Sequence, residues 1–223
     1  MQPHRHREPK TTSHSTTMEI AMAKRPYDAA QLKQLLLQMM ETELGGELVY
    51  RTALEAACND DLKKEWEEYL EETRKHQEVV RSVCEALDMD PDEQSPARMV
   101  VKSIGESLVK AMELARKTCD AKTAEIMACE CVVHAETKDQ ANWELLGKIA
   151  EAAGGKQQEI LQQAYDSVWK DEQHHLFHTK GWCRELAIEH LGMPSVLPPP
   201  EEAKQVETAI GAARAEQQRS KML

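Results

Sequence analysis

Apolar residues recur along this chain in alternating steps of three and four, the spacing that lines one face of an α-helix. The first stripe, Leu32, Leu36, Met39, Leu54 and Ala57, predicts a helix over 28–57, with Asp28 placed to cap its free N–H groups just after Pro26. Asn59, Asp60 and Asp61 then form a tight turn. A second stripe runs Leu62, Trp66, Tyr69, Thr73, His76, Val80, Val83 and Leu87, the pattern of an antiparallel bundle helix. Residues 89–97 break the periodicity, and a shorter helix over 98–117 follows, with Val101, Ile104, Leu108, Met112 and Ala115 on one face. Two further long helices are predicted over 120–153 and 157–191, separated by Gly154 and Gly155. Gly192 is placed to close the last of these, and the run SVLPPP stops further helix. A weakly amphipathic helix is expected over 201–217.

The pattern therefore predicts an all-α protein: a ferritin-like arrangement of two helical hairpins, joined by a long crossover that carries its own helix. No internal repeat of fixed period is present, which counts against an α-solenoid. Three regions follow: a polar, aperiodic tail over 1–26, expected to be flexible; the bundle over 27–192; and a Pro-rich linker with a C-terminal helix over 193–223.

Composition supports long helices. Only 9 Gly and 9 Pro occur in 223 residues, and no proline falls between Pro26 and Pro91 or between Pro96 and Pro194. Turn-rich β-sandwiches and barrels need more punctuation than this. With aromatics at 4%, the core must be built from Leu, Ala, Val, Met and Cys. A net charge of −11 repels phosphate backbones, so no nucleic-acid partner is expected. No apolar run of about 18 residues or secretory signal is seen, so no membrane association is expected and a cytoplasmic location is. The six cysteines lack zinc-finger spacing and are read as reduced thiols.

The chemistry lies where acids and histidines fall on stripes that call for Leu. After Leu36 and Met39 come Glu43, then Glu47 or Gly46, then Tyr50. His76, flanked by Glu72, lies on the second stripe. Glu136 and Asp139 fall among Val132, Ala135, Trp143 and Leu146, while Glu172 and His175 continue the line of Leu161, Ala164 and Val168. A buried carboxylate without a partner costs several kcal/mol, so each must be neutralised, paired or bound to metal.

Their depths coincide. Glu43 lies 16 residues before Asn59 and His76 lies 17 after it; Glu136 lies 18 before Gly154 and Glu172 lies 17 after Gly155. Two hairpins side by side would place all four at one height. Oxygen donors with one His per hairpin suit iron or manganese better than structural zinc. A buried salt-bridge network is the rival reading, but Arg51, Arg74 and Lys75 fall off these lines.

These residues resemble the ferritin-like superfamily, especially its rubrerythrin-type and stress-associated branches, over about residues 30–190. The matching features are Glu43 with Tyr50 seven residues on, Glu136 with Asp139, and the Glu-x-x-His of Glu172 and His175. The second helix departs from the family pattern. Thr73 stands three residues before His76, where that family has Glu, and Glu72 is one position off. The resemblance implies a carboxylate-bridged pair of iron ions, or manganese, reacting with O₂ or peroxide and a small molecule. Glu43, Glu72, Glu136 and Glu172 would be ligands with His76 and His175, and Asp139 a further ligand. Tyr50 is a candidate for electron transfer, as is Trp143, although both also read as core aromatics. His174 and His178 are supporting or surface positions, and a homodimer is the expected assembly. The alternatives are an iron-binding or storage protein of the same fold, and a metal-free helical interaction or stress protein without catalysis.

Overall fold

The computed structural model describes residues 27–223, so the expected tail with His4, His6 and His14 lies outside the described residues. Those described are helical with no strand: α1 (Ala29–Leu54), α2 (Asp60–Ala86), α3 (Pro96–Thr118), α4 (Ala121–Ala152), α5 (Gly155–His190), α6 (Pro200–Ala203) and α7 (Ala209–Gln218), with a final 3₁₀ turn. Local chemistry sets the boundaries. The Asp28 carboxylate accepts from the N–H groups of Ala30 and Gln31, and Asn59 accepts from those of Asp61 and Leu62. Ser95 accepts from the Arg98 N–H to start α3, and Asp120 accepts from the Thr123 N–H to start α4. Helix α1 ends three residues before its apolar stripe does, because the N–H groups of Ala56 and Ala57 both turn back to the Ala53 carbonyl. At the end of α5, Gly192 adopts φ +74°, and the N–H of Met193 reaches the Ile188 carbonyl, closing a Schellman cap.

Cross-helix contacts fix the directions. Glu43, Glu47 and Tyr50 of α1 meet Gln77, Arg74 and Tyr69 of α2, a descending order that makes the pair antiparallel. Thr123, Glu136 and Gly147 of α4 meet His190, His175 and Tyr165 of α5 in the same way. Helix α3 runs alongside α1, with Arg98 on Glu41 and Arg116 on Glu55, so it carries the chain back from the end of α2 to the start of α4. The crossover is latched by Arg98, which is 3% exposed. Its Nε donates to Glu41 Oε2 at 2.8 Å and its guanidinium to the carbonyl of Pro91 at 2.6 Å. Truncation at Arg98→Ala is expected to cost about 3–5 kcal/mol, since it strands a nearly buried carboxylate. Urea unfolding would read this directly, and a loss below about 1 kcal/mol would mean the latch holds nothing.

The apolar interior is divided in two. One cluster contains Val49, Tyr50, Trp66, Cys129, Val132 and Trp182; the other contains Leu36, Met39, Val80, Trp143, Leu161 and Val168. On each long helix most of the buried residues between the two clusters are polar, among them Glu43 on α1, Thr73 and His76 on α2, Glu136 and Asp139 on α4, and Glu172 and His175 on α5.

The C-terminal region departs from expectation in its number of helices. Instead of one helix over 201–217 there are two short ones, because Gln205 takes a positive φ of 49° and Thr208 caps a fresh start at α7. The segment also folds back on α5. Arg184 makes two bonds of 2.9 Å to Glu201, Arg219 grips the fully buried Glu185, and the Val196 N–H donates to that same carboxylate at 2.9 Å. Gly181 permits this approach, since a Cβ there would lie 2.6 Å from the Glu201 carboxylate and 3.0 Å from the Pro199 side chain.

Candidate metal centre

The polar layer brings together six of the sequence-predicted residues in the middle of the bundle, each at most 6% exposed: Glu43, His76, Glu136, Asp139, Glu172 and His175. Two triads have donor atoms within 4.8 Å of one another, Glu43–His76–Glu172 and Glu136–Glu172–His175. Glu172 belongs to both. In the first, His76 Nδ1 lies 3.0 Å from Glu172 Oε1 and 3.8 Å from Glu43 Oε2. In the second, His175 Nδ1 lies 3.5 Å from Glu136 Oε2. The two imidazoles stack across the layer with centroids 5.7 Å apart.

Both histidines are oriented by an acid on their outer nitrogen. His76 Nε2 lies 3.3 Å from Asp171 Oδ2, and His175 Nε2 lies 2.8 Å from Glu72 Oε2. An outer carboxylate fixes the tautomer and leaves the inner Nδ1 lone pair free for a ligand role. Glu72, expected as a ligand, therefore sits behind His175 and in neither triad. The inward position on α2 is taken by Thr73, whose hydroxyl donates to the Tyr69 carbonyl. Of the alternatives on α1, Gly46 is the buried residue, while Glu47 turns to Arg74 and Gln77. Tyr50 is fully buried with its ring 6.0 Å from that of His175; burial and the nearby Glu136 charge keep its phenol protonated. The Trp143 indole N–H donates to Glu43 Oε1 at 2.9 Å, leaving the other oxygen of that carboxylate to the layer.

Burial and like charge dominate the electrostatics of the layer. Burial and the neighbouring Asp139 charge hold both Glu43 and Glu172 well above the carboxylate range, and burial with the Glu136 charge pushes Asp139 up to about 7. Burial opposes charge on His175, but the nearby Glu136 carboxylate and its bond to Glu72 win and push it up to about 10. Burial likewise opposes charge on His76, and Asp171 and Glu43 outweigh it. Among the described residues no Lys or Arg pairs with the four buried carboxylates; Lys138, the nearest in sequence, spends its ammonium on Asn142.

No family model matches the chain, and neither the curated proteins nor the solved structures give a significant match. What the site can do rests on its own geometry.

Five buried atoms in the layer lack any hydrogen-bond partner: Glu43 Oε2, His76 Nδ1, Glu136 Oε2, Asp139 Oδ1 and Glu172 Oε2. Each such atom costs about 1–3 kcal/mol, and more when charged, unless something fills the space between them. The 3.0 Å approach of His76 Nδ1 to Glu172 is short but misaligned for a hydrogen bond. Two ligands bonded at about 2.1 Å to one ion, at right angles, stand about 3 Å apart in the same manner. The donor set fits a pair of divalent ions, whose charge would cancel that of four carboxylates.

Sequence reasoning missed Asp171, which carries no signal beyond adjacency to Glu172. It also missed a third group, Glu65, His178 and Glu202, whose donors again lie within 4.8 Å of one another. Glu65 is off the apolar stripe of α2, and Glu202 follows a proline run outside the bundle. Only the arginine-bound return of the C-terminal segment brings them together.

Proposed function

We propose that this chain is a ferritin-like protein with a carboxylate-bridged pair of iron ions, manganese being the substitute, and that it reacts with O₂ or peroxide. The observation that carries the reading is the convergence of five partnerless buried donors on two triads that share Glu172. Glu43 and His76 would hold one ion, Glu136 and His175 the other, with Glu172 between them. Asp139, one turn beyond Glu136, supplies the carboxylate that α2 lacks because of Thr73. Bound iron would supply the electrons that reduce O₂ or peroxide.

The chain's own residues do the rest. Asp171 and Glu72 aim the two imidazoles, and the apolar clusters above and below exclude water. The Tyr50 phenol, kept protonated by burial and the Glu136 charge, offers a hydrogen-bond donor beside the layer. A mostly apolar cavity of about 340 Å³ opens between α1, α3 and α4, lined by Val49, Val101, Ile104 and Leu108. Thr42 and Ala135, which also line it, belong to the helices that carry Glu43 and Glu136, so a small apolar molecule seated there would lie beside those helices.

Iron-loaded protein is expected to consume O₂ or hydrogen peroxide faster than the same concentration of free iron, and Glu136→Ala to lower that rate roughly tenfold or more. An oxygen electrode and a peroxide assay would measure it. Consumption no faster than free iron, with iron bound, would leave an iron-holding protein; a 24-subunit particle by light scattering would then point to storage.

A further inference from the structure

We infer that Glu65, His178 and Glu202 form a third divalent-cation site, separate from the central layer and completed by the C-terminal segment. The argument starts from the histidine. His178 is 2% exposed, and its Nε2 lies 2.9 Å from the carbonyl of Val206. A carbonyl only accepts, so Nε2 carries the proton and the neutral ring turns its Nδ1 lone pair the other way. There it meets Glu202 Oε2 at 2.7 Å, Glu65 Oε1 at 3.3 Å and the Tyr69 hydroxyl at 3.3 Å. That hydroxyl has a single proton, and it is given to Glu65. Three oxygens thus converge on a buried nitrogen lone pair with no donor left among them. Such an arrangement needs a cation, whether a second proton on the ring or a metal ion.

Three features favour the metal. A backbone carbonyl on the outer nitrogen is the device that orients histidine ligands. Glu65 is held in the same spirit, with one oxygen taking the Tyr69 proton and the other the indole N–H of Trp182. A polar cavity of about 270 Å³ leads in from solvent beside Glu65 and Glu202, and its charged lining is Asp61 and Glu68 against the single Lys64. One imidazole and two carboxylates, with water on the open side, is a donor set for a divalent first-row ion such as zinc, manganese or ferrous iron. The site does not depend on the central layer being filled. Tyr69 links the two, since its ring packs 4.2 Å from that of His175.

Full-length protein would be equilibrated with Zn²⁺, dialysed, and its zinc counted per chain by elemental analysis. Glu202→Gln and His178→Gln are each expected to hold one ion fewer than wild type. Glu172→Gln, which removes the bridge of the central layer, is expected to keep the ion that Glu202→Gln loses. Equal zinc in wild type and Glu202→Gln would overturn the inference and leave His178 as a doubly paired imidazolium. Glu202 is partly exposed, so that variant should fold even if His178→Gln does not. If Glu172→Gln instead matches wild type while Glu202→Gln still loses its ion, the central reading fails and this one stands.

Discussion

Glu172→Gln is expected to lose both central ions at once, whereas Glu43→Gln and Glu136→Gln should each lose one. The asymmetry follows from geometry: Glu172 is the only residue common to the two triads, and the amide keeps its size while removing the charge that two cations would share. Thermal unfolding gives a second readout. An ion held at a hundred times its dissociation constant stabilises the fold by about 2.7 kcal/mol. In a chain of this length that is worth roughly 2–4 °C for each kcal/mol. Two ions should therefore raise the wild-type midpoint by roughly 10–20 °C. In Glu172→Gln the central contribution to that rise should vanish. Without metal the order reverses. The variant should be no less stable than wild type, because the carboxylate it removes is buried among other acids and held well above its ordinary range. A variant that keeps both ions would sink the shared-bridge geometry.

The metal-free protein is expected to lose stability as pH rises from about 4 to 10, and the loaded protein to lose much less. The sign follows from linkage. Asp139 titrates near 7 when folded, against 3.8 ordinarily, so the folded state holds a proton that the unfolded chain has released. That contribution is fully present below the ordinary value and falls as pH climbs to about 7. His175, near 10 when folded against 6.5 ordinarily, adds a decline of the same sign between those values. Glu43 and Glu172, raised by burial and by the Asp139 charge, act in the same direction. Bound metal would replace these protons and remove the decline. Melting temperatures of metal-free protein at pH 5.5 and pH 8.5, with Asp139→Asn for comparison, would test this. The variant should show the shallower slope, and stability rising with pH in the metal-free wild type would contradict the account.

Much of this was readable from spacing alone. Counting from the two hairpin turns placed Glu43, His76, Glu136 and Glu172 at one height, and the structure has them in one layer, because a helix converts residue number directly into distance. The helical period likewise marked Asp139 and His175 as inward. What a period cannot resolve is a rotation of one residue. Glu72 and His76 share a helix face broadly, yet that offset is enough to put the carboxylate behind His175 and leave Thr73 inside. The third cluster was out of reach for another reason. Glu202 has no periodic context, and its position depends on Arg184 and Arg219 drawing an irregular segment onto α5. Contacts made by loops depend on tertiary pairing, which local pattern does not encode.

The division of the interior also bears on how the molecule holds together in time. Each long helix passes from one apolar cluster to the other through a band of acids and imidazoles, so the two halves share backbone but little side-chain packing across the band. Regions joined this way open as separate cooperative units unless something couples them. With the layer filled, every long helix is tied to the others at mid-height and the halves must open together. With it empty, one end of the bundle can breathe while the other stays closed. An ion held by these carboxylates would thus decide whether the protein behaves as one folding unit or two.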